Sequence, residues 1–363
     1  MHKEIKAGVY AIIAVIAVLI MIAVCAGAHE NSEEERSTLS EREAALRYPY
    51  RQLSEREQML YTVLYRGIQA HKEQIVLPDT FTASEYERVY LLVSMQEPEF
   101  FYLDDVYELS ERMNTANIHY VADKDSAERM LKNMEAEANE ILSGLEDWMT
   151  EGEQQAYLHD AIAERCEYIE PTMPDSAYTA LVSGGAKCEG YAKAYVYLCR
   201  LAGMDAMCVT GESGRGVKHV WNIAKIDENY YNIDVTWDDD DAFEGKIVHS
   251  CFAMPDEMFY DHEQDGVGFT PPICTANDEN YYYRRGLQMQ DTDHLKGRLA
   301  EWGMSATRGV MEFQCPDPSV YYDTVTMLRW NRSIVPLENI AREVTYWNVV
   351  PDDVRQVVMI IFQ

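Results

Sequence analysis

The sequence predicts an α+β fold: a Cys-bearing helix packed on an antiparallel sheet, with a helical N-terminal region and an α/β C-terminal part. Three observations predict it. After the break Ser183-Gly184-Gly185, residues Tyr191, Tyr195, Leu198 and Ala202 recur at steps of four, three and four, so a helix opens near Cys188 and stops at Gly203. Residues 219–226 and 230–236 are rich in β-branched and aromatic side chains and flank a turn at Asp227-Glu228-Asn229, which reads as a hairpin. Beyond Tyr281, helical and strand patterns alternate and end on the apolar run 357–362.

Taken in order, the chain begins with an expected membrane anchor at residues 1–28. Its uncharged stretch 8–28 would span about 30 Å as a helix, the thickness of a bilayer core. Lys3 and Lys6 precede it and Glu30, Glu33, Glu34 and Glu35 follow. That asymmetry places the N-terminus in the cytoplasm and the bulk of the chain outside the cell, as a single-pass membrane protein. Two alternatives stay open: a signal-peptidase site at Ala26-Gly27-Ala28, and a lipoprotein box at Ile22-Ala23-Val24-Cys25, where Val24 is bulkier than such a box carries.

Residues 29–50 read as a polar stalk with a helical stretch from Leu39 to Leu46, and 51–150 as a mainly helical region. Ser54 with Glu57, Ser84 with Glu87, and Thr150 with Glu153 have the spacing of capping boxes. Pro98-Glu99-Phe100 breaks toward a strand, and 125–145 forms a charged helix. The core is assigned to 151–280. Its first helix runs to about Tyr168 and carries His159-Asp160, read as a packing or surface pair. Residues 250–254 suggest a further strand. The lobe 281–363 shows no catalytic constellation, and Asn331-Arg332-Ser333 is a formal glycosylation sequon.

Charge and cysteine content bound the function. The net charge is −31, from 31 basic and 62 acidic residues, which argues against nucleic acid and an anionic membrane surface as partners. Eight cysteines at irregular spacing, without a CxxC pair, fit neither a zinc framework nor a dense disulfide scaffold. The acids Asp238, Asp239, Asp240 and Asp241 with Glu244 lack EF-hand spacing and read as a solvated loop rather than a calcium site.

The chemistry concentrates on Cys188, His219 and Asp234. A thiol at a helix N-terminus meets unpaired N–H groups and the positive end of the helix dipole, which favour a thiolate and can stabilise an oxyanion. A neutral imidazole takes the thiol proton, and a carboxylate on its other nitrogen fixes the tautomer. Hairpin parity supports the pairing. A two-residue loop at Asp227-Glu228 sets His219 opposite Thr236, with Asp234 as diagonal neighbour on the same face.

Three segments, Cys188-Glu189-Gly190-Tyr191-Ala192, His219-Val220-Trp221-Asn222 and Asp234-Val235-Thr236-Trp237-Asp238-Asp239, in this order resemble the bacterial transglutaminase-like superfamily. The resemblance spans roughly residues 150–265. It implies a papain-like core with Cys188 as nucleophile, His219 as base and Asp234 as orienting acid. The family includes transglutaminases, peptidases and members without demonstrated chemistry. Asp261-His262 resembles a recurrent Asp-His of the family and reads as structural, because His219 and Asp234 already fill the catalytic roles.

The expected activity is acyl transfer from a peptide or protein amide through a Cys188 thioester, with no cofactor required. Trp221 and Tyr191 are candidates for lining the acyl groove. The glycine-rich segment 211–216 suggests an open, mobile rim, favouring hydrolysis over crosslinking. Two rivals remain: a non-catalytic envelope-binding module keeping the fold, and metal chemistry through Cys188, His219 and His249, which lack zinc-like spacing.

Overall fold

The computed structural model describes residues 38–362, apart from 111, 215, 240–242, 244, 267, 294, 305–308 and 331–346. The expected anchor at 1–28 and the sequon lie outside the described residues. Among the described residues no helix is long and apolar enough to cross a membrane.

The residues at 38–50, expected as stalk, pack into the body instead. Short helices α1 (Glu41–Ala45) and α2 (Tyr48–Arg51) follow the buried Leu39, and Tyr50 is buried beside them. Helix α3 (Glu55–Gln69) starts at the Ser54–Glu57 capping box that the spacing predicts. After β1 (Gln74–Val76), helix α4 (Ala83–Gln96) starts at a Thr82–Glu85 box, two residues before the predicted one. Pro98–Phe100 is a single 3-10 turn, and the strand begins after it, at Leu103. Strands β2 (Leu103–Ser110) and β3 (Thr115–Tyr120) complete an antiparallel sheet in the order β1-β3-β2. The region 51–150 therefore carries a sheet as well as helices, followed by the charged helix α5 (Lys124–Leu142).

The core begins with α6 (Glu151–Ala163), capped by Thr150 and Glu153 and ending before the predicted Tyr168. Two short parallel strands, β4 (Glu167–Tyr168) and β5 (Gly185–Ala186), lead to α7 (Cys188–Leu201). Strands β6 (Ala206–Ser213), β7 (Val217–Ile226) and β8 (Asn229–Ile233), the one-turn helix α8 (Val235–Asp238) and strand β9 (His262–Gln264) follow. The sheet order is β8-β7-β6-β9, antiparallel throughout. Residues 250–254 make only a bridge at Asn232 and Met254, not the predicted strand.

Helix α7 lies on β6 and β7 and buries Tyr191, Tyr195, Val196, Leu198 and Cys199. Each aliphatic side chain so buried contributes roughly 1.5–3 kcal/mol. Polar groups are matched there: buried Asn222 donates to the carbonyls of Ala192 (3.0 Å) and Met207 (3.2 Å). The far end of α7 is anchored by Arg200, which joins Arg47 on the buried carboxylate of Glu97 (2.6 and 2.8 Å). Burial opposes the charge on Glu97, but the two guanidinium groups win and hold its pKa below the usual value.

The C-terminal part comprises α9 (Tyr281–Arg284), α10 (Leu295–Met304), β10 (Val310–Gln314), α11 (Pro318–Trp330), β11 (Trp347–Asp352) and β12 (Val357–Phe362). Strand β12 is the middle of the sheet β10-β12-β11, as its apolar run predicts. Its period of two divides it between cores. Val357, Met359 and Ile361 join the main core, while Val358, Ile360 and Phe362 pack with Leu328 and Trp347.

Candidate active site

Cys188 is the first residue of α7 and is partly exposed, with a free thiol. The helix N-terminus differs from the simple expectation of open N–H groups. Asp175 reaches in from the preceding loop and accepts from the N–H of Lys187 (2.9 Å) and of Gly190 (3.0 Å). Gly190 is required for this approach. A Cβ there would lie 2.6 Å from both Ala186 Cβ and Asp175 Oδ1. Burial raises the pKa of Asp175 against those two hydrogen bonds. The N–H of Cys188 itself makes no hydrogen bond among the described residues.

The hairpin keeps the predicted register. Ile226 pairs with Asn229 and Asn222 with Ile233, around the two-residue loop Asp227-Glu228. Pairing then stops, and Asp234 leaves the strand to cap α8, where its Oδ1 accepts from the Trp237 N–H (3.2 Å). Thr236 is thus in a helical turn, not in the strand. The departure still delivers the carboxylate: His219 Nε2 donates to Asp234 Oδ2 at 2.6 Å. Because Asp234 holds Nε2, Nδ1 is the His219 nitrogen left for the Cys188 thiol, whose proximity helps raise the imidazole's pKa.

The electrostatics follow. Burial alone would push the His219 imidazole down, but the Asp234 carboxylate and Cys188 overcome it and raise it to about 10. Asp234 is buried, which opposes its charge, yet His219 and a second imidazole hold it well below the usual carboxylate range. That second imidazole is His262, read from the sequence as structural. His262 Nε2 donates to the same Asp234 Oδ2 at 3.1 Å, and Nδ1 meets Asp261 Oδ1 at 2.9 Å. Asp261 is gripped by both terminal nitrogens of Arg355 (2.9 and 3.0 Å), a residue that is 1% exposed and comes from the C-terminal part. A continuous hydrogen-bonded chain therefore runs His219, Asp234, His262, Asp261, Arg355, with Cys188 near its first member.

Residues 211–213 of the glycine-rich segment are not an open rim. They belong to β6 and pair with both β7 and β9. A Cβ at Gly211 would lie 2.1 Å from the Glu263 carbonyl oxygen, so only glycine lets β9 dock and bring His262 to the site. The doublet Asp261-His262 was the sequence signal for this partner. Nothing local pointed to Arg355.

Trp221 and Tyr191 do not line a groove; they are 1% and 0% exposed. Trp221 stacks against the His219 ring (centroids 6.2 Å) and meets His262 edge-on (5.1 Å). The Tyr191 hydroxyl donates toward the Cys166 carbonyl (2.9 Å) and Asp239 Oδ2 (2.6 Å). Both shape the site from behind. A cleft of about 750 Å³ is lined instead by residues including Cys166, Tyr168, Ile169, Gly184, Asp239 and Lys246. Burial first, and the neighbouring Cys188 second, raise the pKa of Tyr168 on its rim.

The set Cys188, His219 and His249 is not brought together as a metal site. His249 bonds Asp160 Oδ1 (2.8 Å) and Glu312 Oε1 (2.5 Å). Asp238, expected in a solvated loop, is fully buried and meets His159 Nε2 at 3.2 Å. All seven cysteines among the described residues are free.

Residues 138–235 match the family model described as the Transglutaminase-like superfamily. The chain carries a transglutaminase-like core of mixed helix and sheet, and Cys188, His219 and Asp234 all fall within the match. Three solved structures are similar to parts of it. A protein of Cytophaga hutchinsonii, provisionally described as a cysteine protease, is 17% identical over 39% of this chain and 46% of its own, with a TM-score of 0.27. A protein described as a TGase is 11% identical over 45% and 50%, with a TM-score of 0.28. A provisionally described protease of Parabacteroides distasonis is 11% identical over 59% and 51%, with a TM-score of 0.23. The chain thus spans about half the length of each of these structures. No curated protein matches the chain.

Proposed function

We propose that the protein is a cysteine acyl-transfer enzyme acting on peptide or protein amides, with hydrolysis favoured over crosslinking. The observation that carries this reading is the placement of a partly exposed thiol at a helix start beside an imidazole whose far nitrogen is held by a buried carboxylate. His219, raised to about 10, holds the proton taken from Cys188, and the thiolate attacks the carbonyl carbon. Asp234 fixes the imidazole and stabilises the imidazolium that forms. The Cys188 N–H is the donor available to the oxyanion. The protonated His219 then gives its proton to the leaving amine, a thioester remains on Cys188, and water or a second amine releases the acyl group.

The choice between water and amine rests on access. The thiol itself is partly exposed, so water reaches the sulfur. Crosslinking demands a dry path for the amine while excluding water at about 55 M. In this reading the enzyme works outside the cell, held by its N-terminal apolar run.

The test incubates the full chain with a glutamine-containing peptide library and a tagged amine. Cys188-dependent cleavage or deamidation is expected. Cys188-dependent amine incorporation without either would favour a crosslinking transglutaminase. Absence of any Cys188-dependent turnover would favour a binding module. Protease added to intact cells tests the location: removal of the soluble part is expected, and full protection until lysis would reverse the orientation.

A further inference from the structure

We propose that Asp175 is a positioning residue for the acyl transfer inferred above: from outside the helix it supplies the cap of the turn that carries Cys188, and so holds the thiol and its N–H group in place. The inference rests on that reading of the site. An α-helix opens with four N–H groups that have no partner within it. In α7 these belong to Lys187 at the cap and to Cys188, Glu189 and Gly190 in the first turn. The first internal bond runs from the Tyr191 N–H to the Lys187 carbonyl at 3.1 Å.

Helices α1, α3, α4 and α6 meet this need locally. A Ser or Thr at the cap accepts from the N–H of the third helical residue, and a Glu at that third position accepts from the N–H of the cap. Helix α7 has no such pair. Its cap residue is Lys187, which makes no side-chain cap bond, and its third residue is Gly190. Asp175 performs both halves of the task. Oδ1 accepts from the Lys187 N–H at 2.9 Å, and Oδ2 accepts from the Gly190 N–H at 3.0 Å. Each oxygen faces a donor, which is the arrangement of an ionised carboxylate. The N–H groups of Cys188 and Glu189, between the two that are taken, have no partner among the described residues. The cap therefore fixes the turn at both ends and leaves open the donor assigned to the oxyanion.

Asp175 is itself held. Its neighbour Ser176 is buried, and its N–H donates to Thr179 Oγ1 at 3.0 Å while the Thr179 hydroxyl donates to the Ser176 carbonyl at 2.8 Å. That carbonyl oxygen would lie 2.9 Å from a Cβ on Gly190, so the backbone of this turn is seated directly on the helix. The carboxylate also sets a negative charge at the helix end that bears the thiol, where it offsets the dipole and opposes a thiolate. The other charges of the turn are matched in pairs: Lys187 with Glu170, and Lys193 with Glu189 at 2.6 Å. Cys166 and Tyr168 face it from β4 and the residue before, and His219, backed by Asp234, lies beyond the thiol. A cavity of about 180 Å³ borders Asp175, with Asp104, Glu189 and Lys193 also in its lining.

The test uses the full chain. Asp175→Asn keeps the shape, removes the charge and turns one acceptor into an amide donor. On a peptide that the wild type turns over, its kcat should fall about 10- to 100-fold with little change in KM. The acid-side midpoint of Cys188 alkylation by iodoacetamide should at the same time move down by about half a pH unit, because a negative charge near the thiolate is gone. Asp175→Glu keeps both acceptors and the charge, and the adjoining cavity has room for its extra methylene. It should return the midpoint to the wild-type value and restore part of kcat. Where Asp175→Asn does not fold, Asp175→Ser, with one acceptor and no charge, takes its place with the same expectations. Hydrogen exchange on the wild type checks the cap without any variant: the Lys187 and Gly190 amides should exchange at least about ten times more slowly than those of Cys188 and Glu189. Equal exchange at all four amides would overturn the inference. So would a folded neutral variant with an unmoved alkylation midpoint, or one that loses stability while kcat stays unchanged. Alkylation and exchange need no turnover, so they decide the role of Asp175 even if the absence of Cys188-dependent turnover defeats the acyl-transfer reading.

Discussion

The molecule holds two His–Asp–His groups of the same composition that end on different chemistry. In one, Asp234 accepts from His219 and His262; in the other, Asp160 lies between His159 and His249. The first group has a thiol at one end and, at the other, an aspartate held by Arg355. The second has a carboxylate at both ends, Asp238 and Glu312. A proton can leave Cys188 for His219 and create a nucleophile. No such outlet exists where both imidazoles already donate outward to carboxylates. Composition therefore does not make a reacting group; the atoms at its ends do. The two are mechanically joined, because α8 is capped by Asp234 and ends at Asp238, and the Asp234 N–H donates to the Cys251 carbonyl at 3.0 Å.

The largest expected effect tests which group reacts. Cys188→Ala or His219→Ala should lower amide turnover by about 10³-fold or more, measured by amine release under single-turnover conditions. Retained turnover in Cys188→Ala would move the chemistry elsewhere and break the comparison.

Asp234→Asn comes next, with a rate loss on the order of 10³-fold and a displaced pH profile. Asp234 helps hold the His219 pKa up at about 10, so its loss should move the alkaline limb down toward the ordinary imidazole value near 6.5. The sign for stability is the same. The folded value lies above the unfolded one, so the pairing contributes fully below about pH 6.5 and fades as pH rises toward 10. The melting temperatures of wild type and Asp234→Asn should accordingly converge between pH 6 and pH 10; a gap constant with pH would refute the assignment.

A third expectation concerns the thiols. Cys188 should be alkylated at least ten times faster than any other described cysteine at neutral pH, read by mass spectrometry after a short exposure to iodoacetamide. Burial pushes the Cys166 and Cys208 thiols up to about 12 and Cys315 to about 11, and Cys188 alone among the seven is not buried. Uniform slow labelling would favour the binding-module reading.

The smallest effect sharpens the comparison at its far end. Arg355 touches neither thiol nor substrate; it is a positioning residue acting through Asp261 and His262. Arg355→Ala should lower kcat by about 10-fold with little change in KM and shift the alkaline limb, and Arg355→Lys should restore part of both. A stability loss without any change in the pH profile would reduce Arg355 to packing.

The sequence by itself determined what depends on neighbours within a few residues. The Ser183-Gly184-Gly185 break and the spacing of Tyr191, Tyr195 and Leu198 specify the helix that starts at Cys188, and three Ser/Thr–Glu boxes start helices at or near their predicted places. The two-residue loop at Asp227-Glu228 fixes a register that sets His219 near Asp234. These are torsional and periodic signals, complete within one element or one turn. Only the tertiary structure decided which titratable groups meet beyond that. Asp234 leaves its strand for a cap, which strand periodicity cannot register. His262 arrives because Gly211 lets a distant strand close on β6, and Arg355 arrives from 94 residues beyond Asp261. Trp221 and Tyr191 are covered by packing that comes from elsewhere in the chain, and Asp238 is drawn inward by His159, 79 residues away. Each of those positions is set by the docking of whole elements on a shared core, and no window of sequence around the residue contains its partner.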